Sequence, residues 1–235
     1  DPEAEPDEAS APLPAPEPIP DEPERRAVGY LAVGDFNFST DRAIMLPGPS
    51  SEGERAGDQA DGIALVAGLL AHLRQLSDSR KVLVAGHTDA AGSFAHNLEL
   101  SEQRARSVQL ACAGDADGIA DHAVALAQPD AGQGELRWIA RRFGWGCDPG
   151  PCDDDDGPNT AAARAQFRDR FRLEFDAEAG TGSAFVRADW LAFFRLYEQD
   201  LAARLGVTFS GLPDLRADLA FAAPSVLGCG EHWPE

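Results

Sequence analysis

The feature that most constrains the fold of this chain is a strand, a glycine-bounded loop and a helix that follow one another over residues 82–113. Val82-Leu83-Val84 is a short continuous apolar run, which predicts a buried strand in the centre of its sheet. The next residues, 86–92, read Gly-His-Thr-Asp-Ala-Ala-Gly and predict a tight loop. A helix is expected over about 94–113, so the segment has the pattern of an α/β unit.

The predicted helix carries a polar row beside its apolar stripe. Asn97, Ser101 and Arg104 stand at i, i+4 and i+7, so they share one face and are expected to point toward the loop that holds Asp89. An aspartate accepts hydrogen bonds from an ammonium group, and an arginine forks onto a carboxylate. An Asp and an Arg facing one cleft would therefore form a receptor for an amino-acid head group. The expected apolar stripe comprises Leu98, Ala105, Val108 and Cys112.

Ten positions of this segment together resemble the OmpA-like peptidoglycan-binding domain family, which carries a GHTD-x-x-G loop, an Asn and L-S-x-x-R-A on a helix. They are Gly86, His87, Thr88, Asp89, Gly92, Asn97, Leu100, Ser101, Arg104 and Ala105. The resemblance implies that Asp89 and Arg104 hold the diaminopimelate of a peptidoglycan stem peptide. Asn97 and the main-chain groups around Thr88 and Gly92 would complete the cradle. It also implies an extracytoplasmic protein of the periplasm or cell envelope, with an outer-membrane association, and no cofactor.

The rest of the chain predicts an α+β fold, an OmpA-like βαβα sandwich with a mainly helical insertion or second module. Val28–Phe38 reads as the first strand, and apolar residues at helical spacing predict a helix over about 60–77. After residue 114 the pattern becomes mostly helical, where the family would supply further strands. Its final strand is either Asp169–Phe175, in which Phe171, Leu173 and Phe175 alternate, or lies beyond Glu235. We favour the helical insertion, which places the last strand beyond Glu235.

Residues 135–200 resemble, more loosely, the three-helix peptidoglycan-binding domain found beside many wall hydrolases. Phe143-Gly144-Trp145, the prolines of residues 148–151 and Gly157-Pro158-Asn159-Thr160 carry this likeness, although a Phe and a Gln are reversed in order. The predicted organisation is a disordered linker over 1–24, an OmpA-like domain over 25–114, a helical peptidoglycan-binding-like module over 115–225 and a C-terminal segment over 226–235.

Charge and composition limit the partners of this chain. Residues 1–24 contain eight prolines and nine acidic residues, which is typical of an extended spacer. The formal net charge of the whole chain is -20, and such a surface repels nucleic acid and anionic membranes. No apolar run reaches the roughly 20 residues that span a bilayer. A wall ligand must therefore be bound by a local pocket, with no nucleic acid partner and no direct membrane span.

Other candidate sites are weaker than the loop and helix. Cys147 and Cys152 flank a turn and are a candidate disulfide, while a four-cysteine zinc site lacks a second close pair. Asp153–Asp156 is expected to be a solvated acidic loop, because a Ca²⁺ loop ending at Gly157 would need Cys152 as its first ligand. Trp138, Trp145 and Trp190 are expected in the core, although each could stack on sugar rings.

The functional prediction is non-covalent anchoring of an envelope protein to peptidoglycan, without enzymatic activity. The sequence contains none of the metalloprotease, serine-hydrolase or P-loop motifs, and its five histidines show no metal-ligand spacing. Two alternatives stay open. The fold could be a structural docking unit of an envelope or secretion assembly with an idle pocket, or the protein could be a peptidoglycan hydrolase.

Overall fold

The computed structural model describes residues 38–39, 41–48, 61–75, 81–126, 132–153 and 155–231. These residues form a mixed structure of seven α-helices and one small parallel sheet, which confirms the α+β class in general. The predicted linker and all of the predicted first strand except Phe38 lie outside the described residues. The described elements, in chain order, are α1 (Gly62–Leu73), β1 (Val82–Gly86), α2 (Phe94–Ala113), α3 (Ala116–Leu126), α4 (Gln133–Phe143), α5 (Pro158–Phe175), α6 (Arg187–Leu205), α7 (Leu212–Arg216) and β2 (Phe221–Gly228).

The unit formed by β1 and α2 agrees with the sequence pattern. Ser93 caps α2 by accepting a hydrogen bond from the amide of His96, and Gly114 ends the helix with a left-handed backbone. The predicted stripe of α2 is buried at Ala105, Val108 and Cys112, but Leu98 is exposed. Leu98 lies in the first turns, before the helix reaches the core.

The sheet pairs β1 with β2, in parallel, although the two strands are separated by more than 130 residues of mostly helical chain. Gly86 is in register with Gly228, but the ladder is irregular between Val82 and Val84. Pro224 lies in the irregular stretch of β2 and has no N–H to donate to a ladder. The expectation that β1 is buried on both faces is wrong, because Leu83 remains 49% exposed.

The strand predicted over Asp169–Phe175 is wrong. Residues 169–175 belong to α5, where Phe171 is 3% exposed and Leu173 is 75% exposed. A strand with an alternating pattern would place these two side chains on one face. Instead Phe167, Phe171 and Phe175 follow one another at helical spacing, with ring centroids 6.1 and 4.7 Å apart. A later strand lies within the chain as β2 (Phe221–Gly228), and a last family strand beyond Glu235 stays a prediction.

The helices between α2 and β2 share one core with the preceding part of the chain. The most central helix is α6, which contacts α1 and α3 and buries an aromatic stripe that includes Trp190, Phe194 and Tyr197. Trp138 and Trp145 are buried as well, which leaves no room for them to stack on sugar rings. The region after residue 114 is thus mostly helical, as predicted. That it is an insertion into an OmpA-like sandwich stays a prediction. β2 runs across position 225, and the predicted domain boundaries stay a prediction.

Two arginines join the helical region to the other elements through buried or half-buried ion pairs. Arg216 of α7 forks onto the Glu198 carboxylate of α6 at 2.6 and 2.7 Å, and its Nε donates to the carbonyl of Cys112 at 2.9 Å. The same guanidinium therefore donates a hydrogen bond to a carbonyl at the C-terminal end of α2, where the last carbonyls have no partner within the helix. Arg204 of α6 binds Asp61, the N-cap of α1, at 2.7 Å. These contacts hold α1, α2 and α6 together.

The structure has no disulfide among the four cysteines, so the expected bond between Cys147 and Cys152 is not formed. The side chain of Cys147 is buried and donates to the carbonyl of Leu136 at 3.6 Å, whereas Cys152 is exposed. A buried thiol that points toward α4 cannot also bond a cysteine at the surface. The short spacing between Cys147 and Cys152 therefore predicted a disulfide that the fold does not allow.

Candidate functional site

The loop between β1 and α2 is held by backbone hydrogen bonds to the residues that follow β2. The amide of Cys229 donates to the carbonyl of Gly86 at 2.9 Å, and the amide of Thr88 donates to the carbonyl of Gly230 at 2.8 Å. The loop conformation therefore depends on a segment that is distant in sequence. The buried hydroxyl Oγ1 of Thr88 finds no hydrogen-bond partner in the described part of the chain.

Two paired glycines bring α2 against the ends of both strands. A Cβ atom on Gly86 would lie 1.9 Å from the carbonyl oxygen of Ser101, and one on Gly228 would lie 2.7 Å from the carbonyl oxygen of Leu98. Only glycine permits backbone contact this close. Ser101 completes the junction, since its hydroxyl donates to Leu98 at 2.8 Å and accepts from the amide of Gly230 at 2.9 Å.

Asp89 lies at the exposed tip of this loop. Its Oδ1 accepts a hydrogen bond from the amide of Ala91 at 3.2 Å, which forms a local turn around the carboxylate. The Asp89 carbonyl accepts from Nδ2 of Asn97 at 3.2 Å. Gly92 ends the turn with φ of 103°, and a Cβ there would lie 3.3 Å from Oδ1 of Asn97. The loop thus presents one carboxylate to solvent, while hydrogen bonds to Asn97 and Gly230 fix its backbone.

Arg104 lies on the same helix, two turns beyond Asn97, and its side chain is covered by the segment 38–45. Its Nε donates to the carbonyl of Arg42 at 2.9 Å, and its Nη2 donates to the carbonyl of Ser39 at 3.5 Å. The guanidinium lies 5.1 Å from the ring centroid of Phe38. Arg104 is consequently only 9% exposed.

The segment 38–45, here called the covering segment and described except for residue 40, has two further attachments to α2. Oδ1 of Asp41 lies 2.7 Å from Nε2 of His96, in a hydrogen bond at the surface. The amide of Met45 donates to the hydroxyl of Ser107 at 3.1 Å. The segment therefore contacts His96, Arg104 and Ser107, which lie along one side of the helix.

The predicted polar row contacts three different pieces of backbone. Asn97 binds the Asp89 loop as expected, whereas Ser101 binds the residues after β2 and Arg104 binds the covering segment. Sequence reasoning did not find the Asp41–His96 pair, because 55 residues separate its members and no local motif links them. It also did not find residues 228–230, whose contribution depends on the position of β2.

The described residues contain no group of three or more His, Cys, Asp or Glu side chains that could hold a metal ion. Among these residues, no helix is long and apolar enough to cross a membrane. The site consists of one exposed carboxylate, one shielded guanidinium and a loop that is fixed by backbone and amide hydrogen bonds. Chemically, this combination offers a hydrogen-bond acceptor and a cation, the two groups that a ligand with both charges would need.

Part of the chain also matches a known protein family. Residues 58–123 match the model of the OmpA family, a range that contains α1, β1, α2 and most of α3. The resemblance indicated by the GHTD loop and the helix motif is thus confirmed for this part of the chain. No curated protein and no solved structure matches the chain. The family match indicates peptidoglycan binding in general and an association with the cell envelope.

Proposed function

We propose that this protein binds peptidoglycan non-covalently through the diaminopimelate of the stem peptide, and so anchors an envelope protein to the wall without enzymatic activity. Asp89 accepts hydrogen bonds from the ammonium group, and Arg104 binds the carboxylate on the same carbon. The observation that carries the proposal is the bond from Asn97 to the Asp89 carbonyl, since it ties the carboxylate loop to the helix that bears Arg104.

The other members of the proposed site shape the loop. Asn97 is buried and bonded to the loop backbone, so its amide holds the Asp89 carboxylate in place. The backbone of Thr88 fixes the start of the loop against Gly230, and the positive φ of Gly92 closes it. Main-chain groups near Thr88 and Gly92 then line the cradle. Preorganisation of this kind reduces the entropy lost on binding.

The charge of the chain supports a local receptor for a zwitterion. A net charge of -20 gives no general attraction for an anionic polymer, so the carboxylate of the ligand needs a specific cation such as Arg104. Charge-assisted pairs are the strongest hydrogen bonds that such a cleft offers. A zwitterionic head group satisfies Asp89 and Arg104 together.

The proposal includes the OmpA-like sandwich and the predicted organisation of the chain. The sandwich would take β1 and α2 from residues 25–114 and β2 from the end of the chain, with the helices between them as an insertion. The proline-rich residues 1–24 would act as a spacer between the wall and whatever the protein is attached to.

One observation favours the docking alternative. Leu83 and Leu227 are 49% and 46% exposed, and both lie on the sheet face that carries Ala85, because Ala85 is in register with Leu227. An apolar sheet face of this kind is suited to a partner protein of an envelope assembly. Leu83→Lys with Leu227→Lys would abolish such assembly and leave binding to the wall unchanged.

Calorimetric titration with a diaminopimelate-containing stem peptide tests the proposed function. Asp89→Ala and Arg104→Ala are each expected to weaken binding by about 2–5 kcal/mol, because each leaves one ligand charge unpaired. Arg106→Ala is the matched control, since Arg106 is exposed on the same helix and bonds Gln109. A folded wild-type chain that binds no stem peptide would refute the proposal and favour the docking role.

A further inference from the structure

We propose that Cys229 and Gly230, here called the support segment, complete the ligand site, and that Ser101 is the positioning residue that holds this segment against the ligand loop. The loop of residues 86–92 then depends on a strand that follows the whole helical region. The inference rests on the proposed function for the identity of the ligand. The hold of Ser101 on the loop can be measured without a ligand.

The support segment binds the first part of the ligand loop through two backbone hydrogen bonds. The amide of Cys229 donates to the carbonyl of Gly86 at 2.9 Å, and the carbonyl of Gly230 accepts from the amide of Thr88 at 2.8 Å. These bonds extend the parallel pairing of β1 with β2 into the loop. The residue directly before Asp89 is therefore fixed by the chain that follows β2.

Ser101 connects the support segment to helix α2. Its hydroxyl accepts from the amide of Gly230 at 2.9 Å and donates to the carbonyl of Leu98 at 2.8 Å. The Ser101 side chain is fully buried, so both bonds are shielded from water. Removal of the hydroxyl would take the acceptor away from a buried amide. The helix thus holds the residue whose carbonyl binds Thr88.

Helix α2 consequently fixes the loop at two adjacent positions. Asn97 binds the Asp89 carbonyl directly, whereas Ser101, one turn further along the helix, acts on Thr88 through Gly230. Two such attachments hold the loop in one conformation before the ligand arrives. Loss of one attachment lowers the fraction of molecules with that conformation, and the apparent affinity falls with this fraction.

The junction between the support segment and α2 is tightly packed. A Cβ atom on Gly228 would lie 2.7 Å from the carbonyl oxygen of Leu98 and 3.0 Å from the hydroxyl of Ser101. Gly228→Ala would therefore displace the support segment from the helix without changing any residue of the loop. The family match ends at residue 123 and does not include this segment. A binding-competent loop accordingly needs more of the chain than the matched range.

Amide hydrogen exchange of the full chain, measured without ligand, tests the hold of Ser101 on the loop. Ser101→Ala is expected to speed exchange of the Thr88 amide relative to the amides of helix α6. Thr160→Val is the matched control, because it removes a buried hydroxyl that accepts from Gln133 in the helical region. The control should lower the free energy of unfolding but leave the relative exchange of Thr88 unchanged.

Titration of the same variants with the diaminopimelate-containing stem peptide gives the second readout. Ser101→Ala is expected to bind about 2- to 10-fold more weakly than the wild type, the factor that corresponds to one hydrogen bond. Gly228→Ala should change the affinity and the exchange of Thr88 in the same direction. Thr160→Val should bind as the wild type does.

The inference would be overturned by an unchanged relative exchange of Thr88 in Ser101→Ala, or by wild-type affinity in this variant. An equal loss of affinity in Thr160→Val would also overturn it, because binding would then follow global stability. Faster relative exchange of Thr88 in Ser101→Ala, without peptide binding by the folded wild type, would uphold the hold of Ser101 on the loop and refute the proposed function instead.

Discussion

Asn97 donates a 3.2 Å hydrogen bond from Nδ2 to the carbonyl oxygen of Asp89, and this contact joins the carboxylate loop to helix α2. The amide is buried and its acceptor is a backbone group, so the position of the Asp89 carboxylate follows the position of the helix. Arg104 lies two turns further along the same helix. A single rigid element therefore sets the spacing between the two charges of the proposed site.

Replacing Asn97 by alanine should loosen the loop and reduce stability. The change leaves the Asp89 carbonyl without its partner and opens a small void, for which a cost of about 1–3 kcal/mol is expected. Urea unfolding measures this cost, and amide hydrogen exchange of residues 89–92 should become faster. Glu99→Ala, at an exposed position of α2, is the control and should leave both measurements unchanged. Unchanged loop exchange in Asn97→Ala would show that the amide does not hold the loop.

Gly86→Ala should force α2 away from the sheet. The new Cβ would lie 1.9 Å from the Ser101 carbonyl oxygen, and overpacking of this kind costs about 1–3 kcal/mol or more. Thermal or urea unfolding measures the loss. Gly68→Ala is the matched control, because nothing lies within 4 Å of its Cβ position in helix α1. There alanine should stabilise by about 0.5–1 kcal/mol through helix propensity. Equal effects of the two substitutions would contradict the close approach.

Arg216→Ala should be among the most destabilising substitutions in the helical region. It leaves the nearly buried Glu198 carboxylate without its cation and removes the donor to Cys112. Loss of one partner of a buried pair costs about 3–5 kcal/mol. The free energy of unfolding should be partly recovered in the double variant with Glu198→Gln, which removes the unpaired charge. Arg187→Ala, at an exposed pair, should change the unfolding midpoint little. A similar small change for Arg216→Ala would contradict its role as a junction.

Alkylation should distinguish the cysteines in the native protein. Burial raises the pKa of Cys112 and of Cys147 to about 12, so their reactive thiolates are scarce at neutral or mildly alkaline pH. Iodoacetamide at pH 8 should label the exposed Cys152 first, with Cys112 and Cys147 protected until the chain is unfolded. Mass spectrometry locates the label. Protection of Cys147 together with Cys152, reversed by a reductant, would instead indicate the disulfide that the sequence suggested.

The sequence predicted the part of the fold whose signals are local. The boundaries of α2 follow from Ser93 as its N-cap and Gly114 as its C-terminal stop, and Gly86 and Gly92 bound the loop before it. The pairing of strands that are far apart in the sequence has no such local signal. The strand β2 contains proline and several small residues, and its partner β1 precedes it by more than 130 residues. The aromatic residues of 167–175 fitted two periodicities, and only packing decided between them.

In the candidate site too, the local features could be predicted from the sequence and the long-range contacts could not. Asp89, Asn97 and Arg104 could be selected from spacing within one strand–loop–helix unit. The cover over Arg104 could not, because Ser39, Arg42 and Asp41 reach α2 from 55 to 65 residues away. Their contacts are made by backbone carbonyls and by one surface hydrogen bond between side chains, and residue type alone does not predict either kind of contact.

The most direct test of the account compares two stem peptides, one with diaminopimelate and one with lysine at the same position, on the wild type and on Arg104→Ala. Lysine keeps the ammonium that Asp89 would bind but lacks the carboxylate for Arg104. The wild type should prefer the diaminopimelate peptide by about 30-fold or more, and Arg104→Ala should lose this preference. Equal binding of the two peptides by the wild type, or a preference that survives in Arg104→Ala, would contradict the account.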